Sequence, residues 1–154
     1  MSDENQPSEI IDPTTKLPNR TFGCQLVEDL LIKDKIQQVQ VIVLEISRFG
    51  QISDSVGGRI ADRILAKVAK RLLAVFNKTL CIYRTHGDHF CLVFAGKENL
   101  KEEIARLQDF AQRPFAISGN VIVLSIRMGI AIADVKSQPY SETMHLRRGR
   151  FTSC

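Results

Sequence analysis

Leu80-Cys81-Ile82-Tyr83-Arg84-Thr85-His86-Gly87-Asp88-His89-Phe90-Cys91-Leu92-Val93-Phe94-Ala95 reads as two apolar runs around a short polar centre. Gly and Asp tolerate positive φ, so Gly87-Asp88 suits a two-residue hairpin loop between strands over 80–85 and 90–95. Pairing about that loop sets His86 opposite His89, Arg84 opposite Cys91 and Cys81 opposite Phe94. Cys81 and Cys91 then fall on opposite faces of the pleat, which disfavours a disulfide between them. His86 and His89 lie side by side at the tip. The bland reading is two solvent-exposed histidines; the sharper one is a zinc ion shared with Asp88. The third histidine, His145, completes no ligand set.

Upstream, residues 39–46 form a nearly unbroken β-branched run (Val39, Val41, Ile42, Val43, Leu44, Ile46), the pattern of a central strand covered on both faces. Glu45 interrupts it near its end, where a carboxylate needs a partner. Between this strand and the hairpin, Ala61, Ile64, Leu65, Val68, Ala69, Leu72, Leu73 and Phe76 recur at helical spacing. Arg59, Arg63, Lys67, Lys70 and Arg71 lie largely outside that stripe and read as a solvated helix face. Asp12-Pro13-Thr14-Thr15 is a turn signal. Leu17-Pro18-Asn19-Arg20 leads into a helix up to about Lys35, in which Phe22, Leu26, Leu30 and Leu31 recur at helical spacing. Downstream, a helix over 99–112 precedes a second hairpin, with strands at 115–117 and 121–133 around Ser118-Gly119-Asn120. This order lacks a regular βα alternation and predicts an α/β (α+β) fold, a central, mostly antiparallel sheet flanked by helices.

The chain has 154 residues, the size of one domain, and its 44% hydrophobic and 25% charged residues exclude disorder, coiled coil and disulfide mini-protein. The net charge is +4, and Arg147, Arg148 and Arg150 account for most of it, so the remainder is nearly neutral and no nucleic-acid partner is expected. No stretch reaches the ~18 apolar residues of a membrane span, and the acidic start, Met1 to Gln6, is no signal peptide, so a cytoplasmic location is expected. The four cysteines, Cys24, Cys81, Cys91 and Cys154, form no CxxC pair and read as free buried thiols.

Five ordered blocks carry a family resemblance. Asp12-Pro13-Thr14-Thr15-Lys16-Leu17-Pro18-Asn19-Arg20 resembles D-x-L-T-G-L-P-N-R, and Glu45-Ile46-Ser47-Arg48-Phe49 resembles D-x-D-x-F. Residues 53–62, SDSVGGRIAD, resemble N-D-x-x-G-H-x-x-G-D; His86-Gly87-Asp88-His89-Phe90 takes the place of G-G-D/E-E-F; and Met128-Gly129-Ile130-Ala131 resembles S-I-G-I-A. Over about residues 9–133 the chain thus resembles the bacterial GGDEF domains, the diguanylate cyclase family, with a nucleotidyl-cyclase-like fold. Active members join two GTP molecules, one per subunit of a dimer, into cyclic di-GMP. The resemblance places Mg²⁺ or Mn²⁺ on Glu45, the Ile46 carbonyl and Asp88, with Asp88 central to catalysis. It places guanine at Ser53 and Asp62, and phosphates at Gly87. A hard cation prefers such oxygen ligands, and a Gly-rich tip lets backbone approach phosphate.

The departures are as telling as the matches. His86 stands for the first motif Gly and crowds the nucleotide. His89 replaces the motif's Glu, so an oxygen ligand becomes a nitrogen. Glu45 replaces Asp, Ser47 replaces the second Asp, Gly50 a Lys, and Ser53 the guanine-reading Asn. The feedback motif R-x-x-D is matched by Asn77, Lys78, Thr79 and Leu80, so no inhibitory site is expected. The closing helix A-D-x-A-L/M-Y-x-A-K is not found. Residues 134–154 read as an atypical basic tail, in which Arg147 or Arg148 replaces the lost cation only by coincidence of position, and residues 1–8 read as a polar leader. Losing one preorganised electrostatic element costs ~10²–10³ in rate. The expectation is a degenerate, catalytically inactive GGDEF domain needing no cofactor and serving as a regulatory or interaction module, alone as a homodimer or paired with another GGDEF protein. The alternatives are a GTP-binding sensor that holds Mg²⁺ or Mn²⁺ with its nucleotide, and a weak diguanylate cyclase.

Overall fold

A computed structural model describes residues 10–96, 100–134 (backbone alone at 133 and 134) and 140. The first helix whose bounds are described, α1 (Arg20–Lys33), starts where the Asn19 side chain accepts a hydrogen bond from the Phe22 amide at 2.9 Å. It is followed by β1 (Gln38–Ile46), α2 (Phe49–Val56), α3 (Gly58–Val75), β2 (Cys81–His86) and β3 (His89–Ala95). Then come α4 (Lys101–Gln112), β4 (Phe115–Ile117), β5 (Asn120–Ile122) and β6 (Ile126–Asp134).

Four strands form one sheet in the order β2-β3-β1-β6, with every neighbouring pair antiparallel. The expected α/β architecture is therefore the observed one. The apolar run of β1 is buried on both faces, as its composition requires. Ile42, Leu44 and Ile46 face one core with Ile64, Val68 and Leu72 of α3, while Val39 and Val41 face a second core under α1. Each such side chain taken out of water stabilises the fold by roughly 1.5–3 kcal/mol.

Helix α1 sits close on β2 because Gly23 has no side chain. A Cβ there would lie 2.4 Å from Cγ of Tyr83. Tyr83 is fully buried and its hydroxyl shares a 2.9 Å hydrogen bond with that of Tyr140.

Four features depart from the sequence expectations or add to them. First, the hairpin slips by one residue. His86 does pair with His89, but the register shifts at Thr85, so Arg84 pairs with Phe90, Tyr83 with Cys91 and Cys81 with Val93. A bulge inserts one unpaired residue and so reverses the faces of all that precede it. Cys81 and Cys91 consequently share the α1 face with Cys24, and all three are free thiols. Burial pushes the Cys81 thiol up to about 11 and that of Cys91 up to about 12, which keeps them protonated and unreactive. Second, residues 121–133 are not one strand. Ser118 and Gly119, at φ 50° and 83°, turn the small β4–β5 ribbon; Leu124 then buries itself in the core, and β6 joins the main sheet beside β1. Third, the apolar residues Phe49, Ile52 and Val56 build the short helix α2, which ends at Gly57 with φ 86°. Fourth, the cations of α3 are not merely solvated. Arg63 donates to the Ser118 hydroxyl at 2.6 Å, and Lys67 donates to the Ala116 carbonyl. Arg71 donates to the Arg113 and Pro114 carbonyls at 3.0 Å, with its guanidinium 3.5 Å from the centre of the Phe115 ring. These residues clamp the ribbon through carbonyls left over at its edge.

Candidate functional site

The antiparallel pairing of β1 with β3 brings the end of β1 beside the hairpin tip. Glu45 pairs with His89 in register, and the Ile46 amide donates to the Asp88 carbonyl at 3.2 Å. Paired residues project from the same face of a sheet, so the Glu45 and His89 side chains meet. His89 Nε2 lies 3.6 Å from a Glu45 carboxylate oxygen, and His89 Nδ1 lies 3.3 Å from one of Asp88. The first contact is an ion-pair separation rather than a hydrogen bond. The second is short enough for one, but Nδ1 is buried and makes no well-aligned hydrogen bond. His86 stacks on His89 with ring centres 4.5 Å apart and planes 21° from parallel. The two histidines are therefore not a pair of free tip residues. His86 is exposed, whereas His89 is drawn between two carboxylates and covered by its neighbour.

The loop itself is pinned from behind. Gly87 takes φ 52°, and its carbonyl accepts from Arg84 Nε at 2.8 Å. The same guanidinium donates to both Asp12 oxygens at 2.8 and 3.0 Å, and the Arg84 amide donates to the Pro18 carbonyl at 3.1 Å. Asp12 in turn accepts from the amide and hydroxyl of Thr15 at 2.8 and 2.6 Å. A chain of charge-assisted bonds thus ties the turn before α1 to the hairpin tip. The turn signal was legible in sequence, but its partner Arg84, 72 residues away, was not.

Burial alone would raise the Asp12 carboxyl, but the bonds from Thr15 and Arg84 outweigh it and hold the group below its usual range. The native state then binds fewer protons here than the unfolded chain, so this contribution is intact above pH ~4 and is lost as pH falls through the lowered value. Asp12→Asn is expected to cost about 1–2 kcal/mol at pH 7. The gap from wild type should narrow in urea melts as pH falls below about 4.

The structure brings together Glu45, Ile46, Gly87, Asp88 and the two histidines. Phe90 points away, fully buried in the α3 core. Ser53 lies on α2 and accepts the Gly57 amide through its carbonyl, and Asp62 is exposed near the start of α3. Asn77 and Lys78, at the unmatched feedback motif, are exposed after α3. His145, Arg147, Arg148 and Cys154 lie outside the described residues.

A family model described as "Diguanylate cyclase, GGDEF domain" matches residues 9–147. The chain belongs to the GGDEF family. The match continues past the last recognisable block, and Tyr140, beyond that block, is buried against Tyr83 in the α1 core. Among solved structures, this GGDEF domain is similar to the FimX GGDEF domain from Pseudomonas aeruginosa, at a TM-score of 0.77 and 19% identity over 92% of this chain and 90% of that one. It is also similar to a sensory box/GGDEF family protein from Caulobacter crescentus, at 0.72 and 19% over 92% and 94%. A third is the diguanylate cyclase SiaD from Pseudomonas aeruginosa in complex with its activator SiaC, at 0.74 and 20% over 97% and 60%. No curated protein matches. At such identities the structures speak for the shared fold.

The family implies a divalent cation between the end of β1 and the hairpin. The residues here do not fit one. One oxygen of Glu45 and one of Asp88 each lie beside a nitrogen of the His89 ring, so the imidazole takes the space next to both carboxylates. Among the described residues, no group of three His, Cys, Asp or Glu side chains is placed to hold a metal ion, which also removes the zinc reading of His86, Asp88 and His89. No helix among the described residues is long and apolar enough to cross a membrane.

Proposed function

We propose that this GGDEF domain is catalytically inactive and works as a regulatory or protein-interaction module in cyclic di-GMP signalling. The observation that carries the reading is His89 set between Glu45 and Asp88, the two carboxylates on which the chemistry depends. Two tightly packed cores and a braced hairpin preserve the scaffold around this altered site. SiaD, a relative by structure, forms a complex with a protein activator, which is consistent with recognition between this scaffold and other proteins. The partner we favour is a second GGDEF domain, either another copy of this chain or an active cyclase. Light scattering should give a dimer mass for the chain alone or for its mixture with an active cyclase domain. A strict monomer that captures no cyclase would reject the proposal.

A GTP-binding sensor is the second reading. It is favoured by the retained Asp62, exposed near the start of α3 and open to a base. Calorimetry with GTP and Mg²⁺ separates the two, since the interaction module gives no heat at millimolar nucleotide.

A further inference from the structure

We propose that the His89 ring takes the space of the divalent cation and so closes the metal position of this hairpin. Glu45 comes from β1 and Asp88 from the hairpin loop, and the two carboxylates would repel each other if left facing an empty gap. The cross-strand partner of Glu45 is His89, and its imidazole meets Glu45 through Nε2 at 3.6 Å and Asp88 through Nδ1 at 3.3 Å. Those nitrogens flank Cε1 of one rigid ring. With the ring beside both carboxylates, an ion at the ~2.1 Å that Mg²⁺ demands from each has to compete with the imidazole for that space. The ring is held there. His86 stacks on it at 4.5 Å, and the Ile46 amide fixes the Asp88 backbone from the side of β1. Arg84 holds the Gly87 carbonyl at the base of the loop. His86 thus acts on the metal position through His89, as a positioning residue, and the longer reach of Glu45 serves the imidazole contact.

The inference sharpens the proposed loss of catalysis by naming the residue responsible for one part of it. The test uses the whole chain with Mn²⁺ alone, without nucleotide, and reads thermal unfolding and water-proton relaxation. Wild type is expected to melt at the same temperature in EDTA and in millimolar Mn²⁺, with no relaxation enhancement. His89→Glu is expected to melt below wild type in EDTA, because a third carboxylate then joins Glu45 and Asp88, and to rise by several degrees with Mn²⁺. His89→Ala opens the position without adding a ligand and should bind Mn²⁺ at least about tenfold more weakly than His89→Glu. If His89→Glu folds only when Mn²⁺ is present, the inference is supported in its strongest form. Mn²⁺ binding by wild type that disappears in Asp88→Asn would overturn it, as would His89 variants that ignore Mn²⁺. Mn²⁺ binding by wild type without cyclic di-GMP formation would overturn this inference and leave the proposed function standing.

Discussion

Replacing Gly23 with leucine is expected to leave the chain unfolded, and replacing it with alanine to cost about 1–3 kcal/mol in urea melts. The Cβ alone would stand 2.4, 2.6 and 2.7 Å from Cγ, Cβ and Cδ1 of Tyr83. No flexible side-chain end is available to give way. Tyr83 is 1% exposed, backs onto the sheet and is tied to Tyr140, so relief requires α1 to lift from β2. Alanine's better helix propensity, about 1 kcal/mol, offsets only part of that overlap. Gly50 gives the opposite sign. It lies within α2 and nothing stands within 4 Å of its missing Cβ, so Gly50→Ala should be neutral or stabilise by up to about 1 kcal/mol. Equal effects at the two glycines would show that α1 does not pack on Tyr83 as described.

The double variant His86→Gly/His89→Glu restores the family's signature at the hairpin, yet it should still form no measurable cyclic di-GMP from GTP. The signature is only one part of the machinery. Ser47, Gly50 and Ser53 stand where the family resemblance places an acid, a lysine and a base-reading asparagine. With ~10²–10³ in rate for each missing preorganised group, even two uncorrected losses leave turnover about 10⁴-fold or more below an active domain. Chromatography of the GTP reaction checks this. Rapid product formation by the double variant would mean that the hairpin tip alone had silenced the enzyme.

Much of this fold was legible in the residues. The β-branched run of β1, the apolar stripe of α3 and the Gly87-Asp88 loop all report local preferences, and all three are observed, except that Leu73 of the stripe is exposed. What escaped depends on contacts across the molecule. Nothing about Thr85 announces a bulge, yet that one residue moved Cys81 onto the face of Cys91 and Cys24. The α3 cations looked solvated because their acceptors are backbone carbonyls of residues 113–116 and the Ser118 hydroxyl, over 40 residues away. The site divides in the same way. Glu45 was conspicuous as a carboxylate in an apolar strand, and Asp88 as the loop acid. That His89 joins them follows from the register of β1 on β3, which no local pattern encodes.

The most direct test is to incubate the wild-type chain with GTP and either Mg²⁺ or Mn²⁺ and to separate the nucleotides by chromatography. An inactive GGDEF domain leaves the GTP intact and yields no cyclic di-GMP over hours. Cyclic di-GMP in excess over the protein, abolished by Asp88→Asn, would contradict the central claim that this domain has kept its fold and lost its chemistry.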